Sequence, residues 1–197
     1  MDQARWEQLL RQWSNDILES DEFAGLIPPD VVAARWLGYP GATEAEIAQA
    51  EARLGVTLPP SYRAFLRVSN GWRMTSSFID QLWSTDQIGW FRDRNQSWIN
   101  AFVAPRRPLR TPSTPDAQYF VYGDQQDPTE LRVEYLQSAL EISAIGDAAI
   151  YLLNPEVVTP EGEWEAWLFA SWLPGANRYR SFWELMQAEH AEFLRSS

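Results

Sequence analysis

The sequence predicts an α+β fold in which an antiparallel β-sheet is packed by helices, with helices at the N-terminus and a closing helix at the C-terminus. The first half of the chain carries apolar residues at helical spacing, whereas short runs of aromatic and branched residues follow residue 118. A last amphipathic segment begins near residue 181. This order of helices, consecutive strands and a final helix is typical of α+β proteins. The 197 residues are enough to bury one sizeable core.

Two helices are predicted before residue 40. Apolar residues recur at helical spacing from Trp6 to Ile17, which places them on one stripe of a helix over about residues 2–20. After a segment with two prolines, residues 30–37 form a short helical candidate that Gly38 closes.

Two further helices are predicted between residues 43 and 70. Thr43 and Glu46 have the spacing of a capping box, which begins a helix that Gly55 ends. Pro60 fits the first turn of the next helix, and Asn70 with the following glycine stops it. Apolar residues at helical spacing are expected to be buried in both helices: Ile47, Ala50, Leu54, Tyr62, Phe65 and Leu66.

The second half of the chain is predicted to form the sheet. Phe78, Leu82 and Trp83 suggest a strand, and residues 86–102 suggest a helix with a break near Asn95. Ser181 is predicted to cap the closing helix. The remaining predicted strands are residues 119–122, 131–136, 140–144, 148–153 and 163–170.

The chain is expected to consist of one domain with an N-terminal arm. Residues 1–38 form the helical extension, packed on a domain of residues 39–197. Within that domain, residues 104–117 hold four prolines and three arginines, a composition that predicts a loop.

Composition excludes several kinds of site. Cysteine is absent, which excludes disulfides, thiol nucleophiles and thiolate zinc sites, and the single histidine excludes a histidine-based metal cage. His190 is expected to be a solvated helix residue. Nucleophile elbows and phosphate-binding or dinucleotide-binding motifs are missing. We therefore expect no catalytic residues, no metal and no cofactor.

The chain is strongly acidic, with 27 acidic and 16 basic residues and a net charge of −11. Such a field repels nucleic acids and anionic membranes and attracts basic partners. The start of the chain does not resemble a signal peptide, and the apolar runs are too short to span a bilayer. We expect a cytoplasmic protein, monomeric or weakly dimeric.

An ordered set of motifs resembles the signature of the SUKH superfamily, which includes a yeast cell-wall regulator and its bacterial relatives. The match runs through Gly41-Ala-Thr-Glu-Ala-Glu-Ile, Glu51-Ala-Arg-Leu-Gly, Leu58-Pro-Pro-Ser-Tyr, Phe65-Leu and Asn70-Gly, and continues with the Gly146-Asp turn and the Ser181-Phe helix start. The resemblance implies an α+β fold without enzymatic activity. Many bacterial members resemble immunity proteins that neutralise a toxin, frequently a nuclease or deaminase, whereas fungal members serve in cell-wall signalling.

Acidic residues are concentrated in the predicted sheet. Residues 111–173 hold eleven acidic residues against one arginine, and Glu161, Glu163 and Glu165 would share one face of a strand. We expect a partner-binding face here that captures a basic toxin domain, because concentrated charge steers association. Its predicted residues are Asp124, Asp127, Glu130, Glu161, Glu163 and Glu165, with Trp164 or Trp167 as an anchor.

Other interpretations of these residues stay open. The three glutamates could be a solvated strand face, or paired carboxylates beside a sugar-stacking tryptophan in a carbohydrate-active enzyme. The five arginines between residues 92 and 110 could contact RNA, although the protein is acidic and this stretch has few aromatic residues to stack on bases. A regulatory or scaffold protein without a toxin partner is the main alternative to an immunity protein.

Overall fold

A five-stranded antiparallel sheet organises the chain in the computed structural model, which describes residues 2–23, 25–76, 78–103, 114–173 and 175–196. The strands lie in sequence order, so each pairs with the next one along the chain. Their bounds are β1 Gly89–Trp90, β2 Leu140–Glu141, β3 Ala149–Val158, β4 Trp164–Ala170 and β5 Ala176–Tyr179.

Helices cover both faces of the sheet. The helices of the described residues are α1 Gln3–Glu19, α2 Pro29–Ala34, α3 Glu44–Leu54, α4 Pro60–Val68, α5 Phe91–Val103, α6 Asp116–Tyr119 and α7 Phe182–Ser196. Successive residues of β3 and β4 alternate between two cores, as the pleat requires. The larger core contains the buried faces of α1, α3, α4 and α7, and the smaller one contains α5. The predicted α+β fold is confirmed.

Local sequence signals fix the helices between residues 43 and 70 as predicted. The Thr43 hydroxyl accepts a hydrogen bond from the Glu46 amide at 3.2 Å, and the Glu46 carboxylate accepts one from the Thr43 amide at 2.7 Å. Gly55 ends α3 with a φ of 73°, a conformation that glycine adopts without a Cβ clash. The Ser181 cap, the kink of α5 at Asn95 and the helix over residues 2–20 are also confirmed.

An aromatic cluster joins the N-terminal helix to the rest of the larger core. The Trp6 ring of α1 lies 5.4 Å from the rings of Phe65 in α4 and Phe182 in α7, and Phe65 lies 5.2 Å from Phe182. All three side chains are fully buried. Helix α1 is therefore packed directly into the core that covers the sheet.

Several predicted elements are wrong. Residues 119–122 and 131–136 are not strands, because Tyr119 ends helix α6 and residues 133–137 form a 3-10 turn. Their aromatic and branched side chains cover the sheet instead of pairing within it, and so short a run of apolar residues does not distinguish these outcomes. Leu82 forms only isolated bridges, with Trp72 and Ser143.

Other element boundaries also differ from the prediction. Residues 89–90 pair as β1 before α5 begins. Helix α2 ends at Ala34 rather than near Gly38, and its C-cap Arg35 takes a left-handed φ of 49°. Strand β5 was not predicted, since its four residues carry no apolar alternation. Residues 104–113 of the predicted loop lie outside the described residues, and its last two residues already belong to α6.

None of the helices in the described ranges combines the length and the apolar character needed to cross a membrane.

Replacing Phe65 by alanine is expected to destabilise the protein by about 3 to 5 kcal/mol, since it empties the centre of the aromatic cluster. Phe120, which is 44% exposed, is a matched control, and its replacement by alanine is expected to cost less than about 1 kcal/mol. Urea denaturation of both variants measures the difference. Equal losses would show that Phe65 is peripheral to the core.

Candidate functional site

Glu165, the third carboxylate of the predicted acidic face, is completely buried in β4. Its oxygens lie 2.6 Å from the Tyr119 hydroxyl, 2.8 Å from the Tyr122 hydroxyl, 2.9 Å from Asn154 Nδ2 and 2.7 Å from Trp167 Nε1. All four groups donate hydrogen bonds to the carboxylate, which supports its burial. The prediction that Glu165 belongs to an accessible face is therefore wrong.

Arg178 of β5 completes this buried cluster. Its Nη1 lies 3.8 Å from Glu165 Oε1 and donates a hydrogen bond to the backbone carbonyl of Tyr119. The guanidinium also lies 4.3 Å from the centre of the Tyr119 ring. Burial, together with the negative charge of Glu165, raises the pKa of Tyr119 and Tyr122, so both phenols stay protonated and donate. The cluster ties the segment after residue 116 to the sheet.

Glu163 and the two predicted tryptophan anchors also belong to the fold. The Glu163 carboxylate accepts hydrogen bonds from the Ser61 amide at 2.9 Å and from the Ser61 hydroxyl at 2.6 Å. It thereby caps the N-terminus of α4, where free amides and the helix dipole favour a negative group. Trp164 is 7% exposed and Trp167 is fully buried, so neither is available as a surface anchor.

The predicted alternation of the three glutamates fails because β4 begins only at Trp164. Glu161 lies in the turn before the strand and is exposed, while Glu163 lies between that turn and β4. The three carboxylates consequently have three different environments. The sequence spacing alone predicted one shared face.

The acidic loop of residues 123–130 remains accessible. Asp124 and Asp127 are exposed and Glu130 is half-buried. The loop lies along β5, where the Ala176 amide donates to the Pro128 carbonyl at 3.0 Å and the Gln126 side chain pairs with the backbone of Arg178. Asp127 accepts hydrogen bonds from the amide and hydroxyl of Thr129, which lower its pKa.

A groove on the opposite side of β5 was not predicted. It is a cavity of about 440 Å³ between α7, strands β4 and β5, the 3-10 turn of residues 21–23, Ser76 and Phe78. We call it the α7 groove. The lining residues that matter for its chemistry are Glu22, Phe78, Trp172, Tyr179, Glu189 and Glu192.

The rim of the α7 groove is apolar and exposed. Phe78 is 43% and Trp172 50% exposed, and their rings lie 5.7 Å apart. Ile145, outside the groove lining, is also exposed. The Phe78 carbonyl packs against Gly146, next to Ile145, so closely that a Cβ on Gly146 would lie 1.8 Å from its oxygen. Large apolar side chains grouped in this way mark interaction surfaces rather than ordinary exposed positions.

A tight turn holds Trp172 in place. The Trp172 indole donates to the Asp147 carbonyl at 3.1 Å, and residues 146 and 149 are bridged across the turn. Asp147 and Ala148 have φ values of 45° and 57°, the left-handed region that a two-residue hairpin turn of this kind requires. An alanine in that conformation is strained. The exposed indole is therefore fixed before any partner arrives.

Glu189 lies in the wall of the α7 groove. Its carboxylate accepts a hydrogen bond from the Tyr151 hydroxyl, which lies 2.9 Å from Thr75 Oγ1. Burial raises the pKa of Glu189 to about 7 and the charge of Glu192 adds to this effect, while the Tyr151 hydrogen bond opposes it. Glu141, on the other side of the sheet, also has a pKa raised to about 7 by burial, although Arg94 and Asn95 contact it.

The single histidine differs from its predicted environment. His190 is buried, its Nε2 lies 2.6 Å from Asp16 Oδ2, and its ring lies 5.1 Å from that of Trp13. It joins α7 to α1 instead of facing solvent. Within the described residues, no group of three or more histidine, aspartate or glutamate side chains is arranged to hold a metal ion.

Sequence reasoning could not find the α7 groove. Its acidic residues come from positions 22, 189 and 192, and its aromatic rim from positions 78 and 172. The one local signal is the turn at Gly146, which predicts an exposed corner but not its neighbours.

Comparison with known protein families gives a match over most of the chain. The family described as the SMI1/KNR4 family (SUKH-1) matches residues 41–187, from the loop before α3 to the first part of α7. A search of curated proteins returned no match.

Lowering the pH from about 8 to about 5 is expected to stabilise the protein. Glu141 and Glu189 keep their protons up to about pH 7 when folded, against an ordinary glutamate value of 4.5, so the folded state binds more protons over this interval. Their stabilising contribution is complete below the ordinary value and is lost as the pH rises through 7.

Melting temperatures across this pH range test the expectation. Glu141→Gln and Glu189→Gln should each flatten the dependence, and the exposed Glu161→Gln should leave it unchanged. A melting temperature that increases with pH over this range would contradict the assignment.

Proposed function

The chain belongs to the SMI1/KNR4 family (SUKH-1), and from this membership we propose that it is a protein-binding domain that neutralises a basic partner, as an immunity protein neutralises its cognate toxin. The family is generally non-enzymatic. The partner we propose is a toxin domain of the nuclease or deaminase class, since enzymes that act on nucleic acid present basic surfaces. The protein would act as a monomer or weak dimer and without a cofactor.

The observation that carries this proposal is the exposed aromatic rim of Phe78 and Trp172 on an acid-lined groove. Aromatic anchors next to concentrated charge are the usual composition of a protein interface, in which the anchors supply affinity and the charges supply selectivity. The net charge of −11 favours a basic partner over nucleic acid or an anionic membrane.

The glutamates that a carbohydrate-active enzyme would use as catalytic acids make structural contacts instead. Glu165 is saturated with hydrogen bonds inside the protein, and Glu163 caps a helix. A pair of catalytic carboxylates must instead flank an accessible site with room for the sugar. These contacts favour binding over hydrolysis.

The acidic loop is proposed as a second, steering surface. Its charges are Asp124, Asp127 and Glu130, together with Glu161 in the β3–β4 turn. These carboxylates attract a basic partner through long-range electrostatics, before close contact is made. Steering of this kind changes the association rate more than the dissociation rate.

A regulatory or scaffold protein is the second candidate function. Family membership favours it as well, because fungal members resemble cell-wall regulators. The two functions differ in the partner, which is a toxin in one case and an endogenous protein in the other.

We expect the purified, immobilised protein to capture a basic protein from an extract of its native host. That partner should arrest growth when it is expressed alone and be harmless when it is co-expressed with this protein. A captured protein without toxicity would favour the regulatory function.

The triple variant Asp124→Arg, Glu130→Arg and Glu161→Arg is expected to slow association with the partner at low salt by about tenfold and to leave the melting temperature nearly unchanged.

A matched control separates local steering from total charge. Glu7→Arg, Asp30→Arg and Glu156→Arg change the net charge equally at exposed positions outside the loop. Equal slowing by both triple variants would remove the acidic loop as a steering surface.

A further inference from the structure

We propose that the α7 groove receives an arginine side chain of the protein partner, with Glu189 as its carboxylate partner and the Phe78 and Trp172 rings flanking the guanidinium. This inference rests on the proposed function, because it names the chemistry by which a basic partner is recognised. It adds a defined binding position to a general preference for positive charge.

The dimensions of the groove suit an inserted side chain. Its volume of about 440 Å³ falls within the range of pockets that bind small groups. Glu189 of the last helix and the exposed rings of Phe78 and Trp172 line the same cavity. The cavity therefore offers a carboxylate and aromatic surface to one inserted side chain.

The charge of the groove selects a cation. Glu22, Glu189 and Glu192 line it against one arginine, Arg195, which already contacts Glu192. The other titratable groups nearby are the phenols of Tyr179 in the lining and Tyr151 behind Glu189, and their pKa values are raised by burial, so both are neutral. A second cavity, of about 420 Å³, shares Glu22 with the groove and adds Glu19 and Asp21 to the same side of the molecule.

The contrast between two carboxylates points to a missing partner at Glu189. Glu165 accepts hydrogen bonds from four side chains and has Arg178 nearby. Among the described residues, the side-chain hydrogen bond to the Glu189 carboxylate comes from the Tyr151 hydroxyl. A largely desolvated carboxylate with so few donors is costly when ionised, and a guanidinium would supply both the charge and the donors it lacks.

The rim favours arginine over lysine. A guanidinium is planar, stacks on aromatic faces and pairs with a carboxylate through two parallel hydrogen bonds, whereas an ammonium is a compact and strongly hydrated charge. The rings of Phe78 and Trp172 line the groove and are exposed, so they offer aromatic surface to such a group. The hydrogen bond from Trp172 to Asp147 fixes one of these faces in advance.

The test uses a capped glycine-arginine-glycine tripeptide, titrated into the full ¹⁵N-labelled chain at about pH 7.5 and followed at the indole N–H resonance of Trp172. We expect a saturable shift. The same tripeptide with citrulline, a neutral isostere of arginine, should bind at least tenfold more weakly, and the lysine tripeptide should fall between them.

Two isosteric variants show which carboxylate is responsible. Glu189→Gln mimics the protonated side chain, so the fold is retained, and it should weaken arginine-peptide binding at least tenfold. Glu156→Gln removes the same charge from an exposed position of β3 outside the steering surface and should leave binding unchanged. Equal affinity for the arginine and citrulline peptides, or full affinity in Glu189→Gln, would overturn the proposal.

The inference and the proposed function can fail separately. If Glu189→Gln neutralises an identified toxin as well as the wild-type protein does, the arginine site is wrong and the proposed function stands. If the tripeptide binds at Glu189 but the captured partner is not toxic, the arginine site stands and the immunity function is wrong.

Discussion

The buried carboxylate of Glu165 is the interaction on which the smaller core depends. A charge without exposure is tolerated inside a protein only when its hydrogen-bonding capacity is filled. The hydrogen-bond donors that fill it come from α6, from the segment after it, and from strands β3 and β4: Tyr119, Tyr122, Asn154 and Trp167. The guanidinium of Arg178 in β5 lies 3.8 Å away. Loss of the carboxylate would leave these donors without their acceptor. One side chain therefore sets the position of an irregular segment that lacks strand pairing of its own.

The same arrangement separates the acids that build the fold from the acids that face a partner. Glu163 and Glu165 lie in or beside the central strands, where the helix amides and phenols of neighbouring elements engage them. The α7 groove takes its acidic residues from positions 22, 189 and 192, all outside the residues that match the family, whereas its aromatic rim at positions 78 and 172 lies inside them. The family domain thus supplies the frame and the anchors, and the flanking helices supply the charge.

The parts of this structure that the sequence predicts are those with local causes. The capping box at Thr43 and the left-handed Gly55 depend on residues within one helical turn, so their geometry follows from spacing alone. The environment of Glu165 does not follow from local spacing, because two of its hydrogen-bond donors lie 43 and 46 residues away in the chain. The aromatic segment at Tyr119 is compatible with a strand or a helix, and only contact with the sheet decides between them. The α7 groove, assembled from both ends of the chain, has no local signature.

The two carboxyls with pKa values near 7 alter the charge that the native protein carries. At neutral pH each is about half protonated, so the folded chain holds roughly one proton more than its formal charge of −11 implies. Unfolding near pH 6 releases these protons to the buffer. The apparent enthalpy of unfolding measured by calorimetry will then depend on the ionisation enthalpy of the buffer that takes up the protons. Buffers with a larger ionisation enthalpy will give a smaller apparent enthalpy of unfolding.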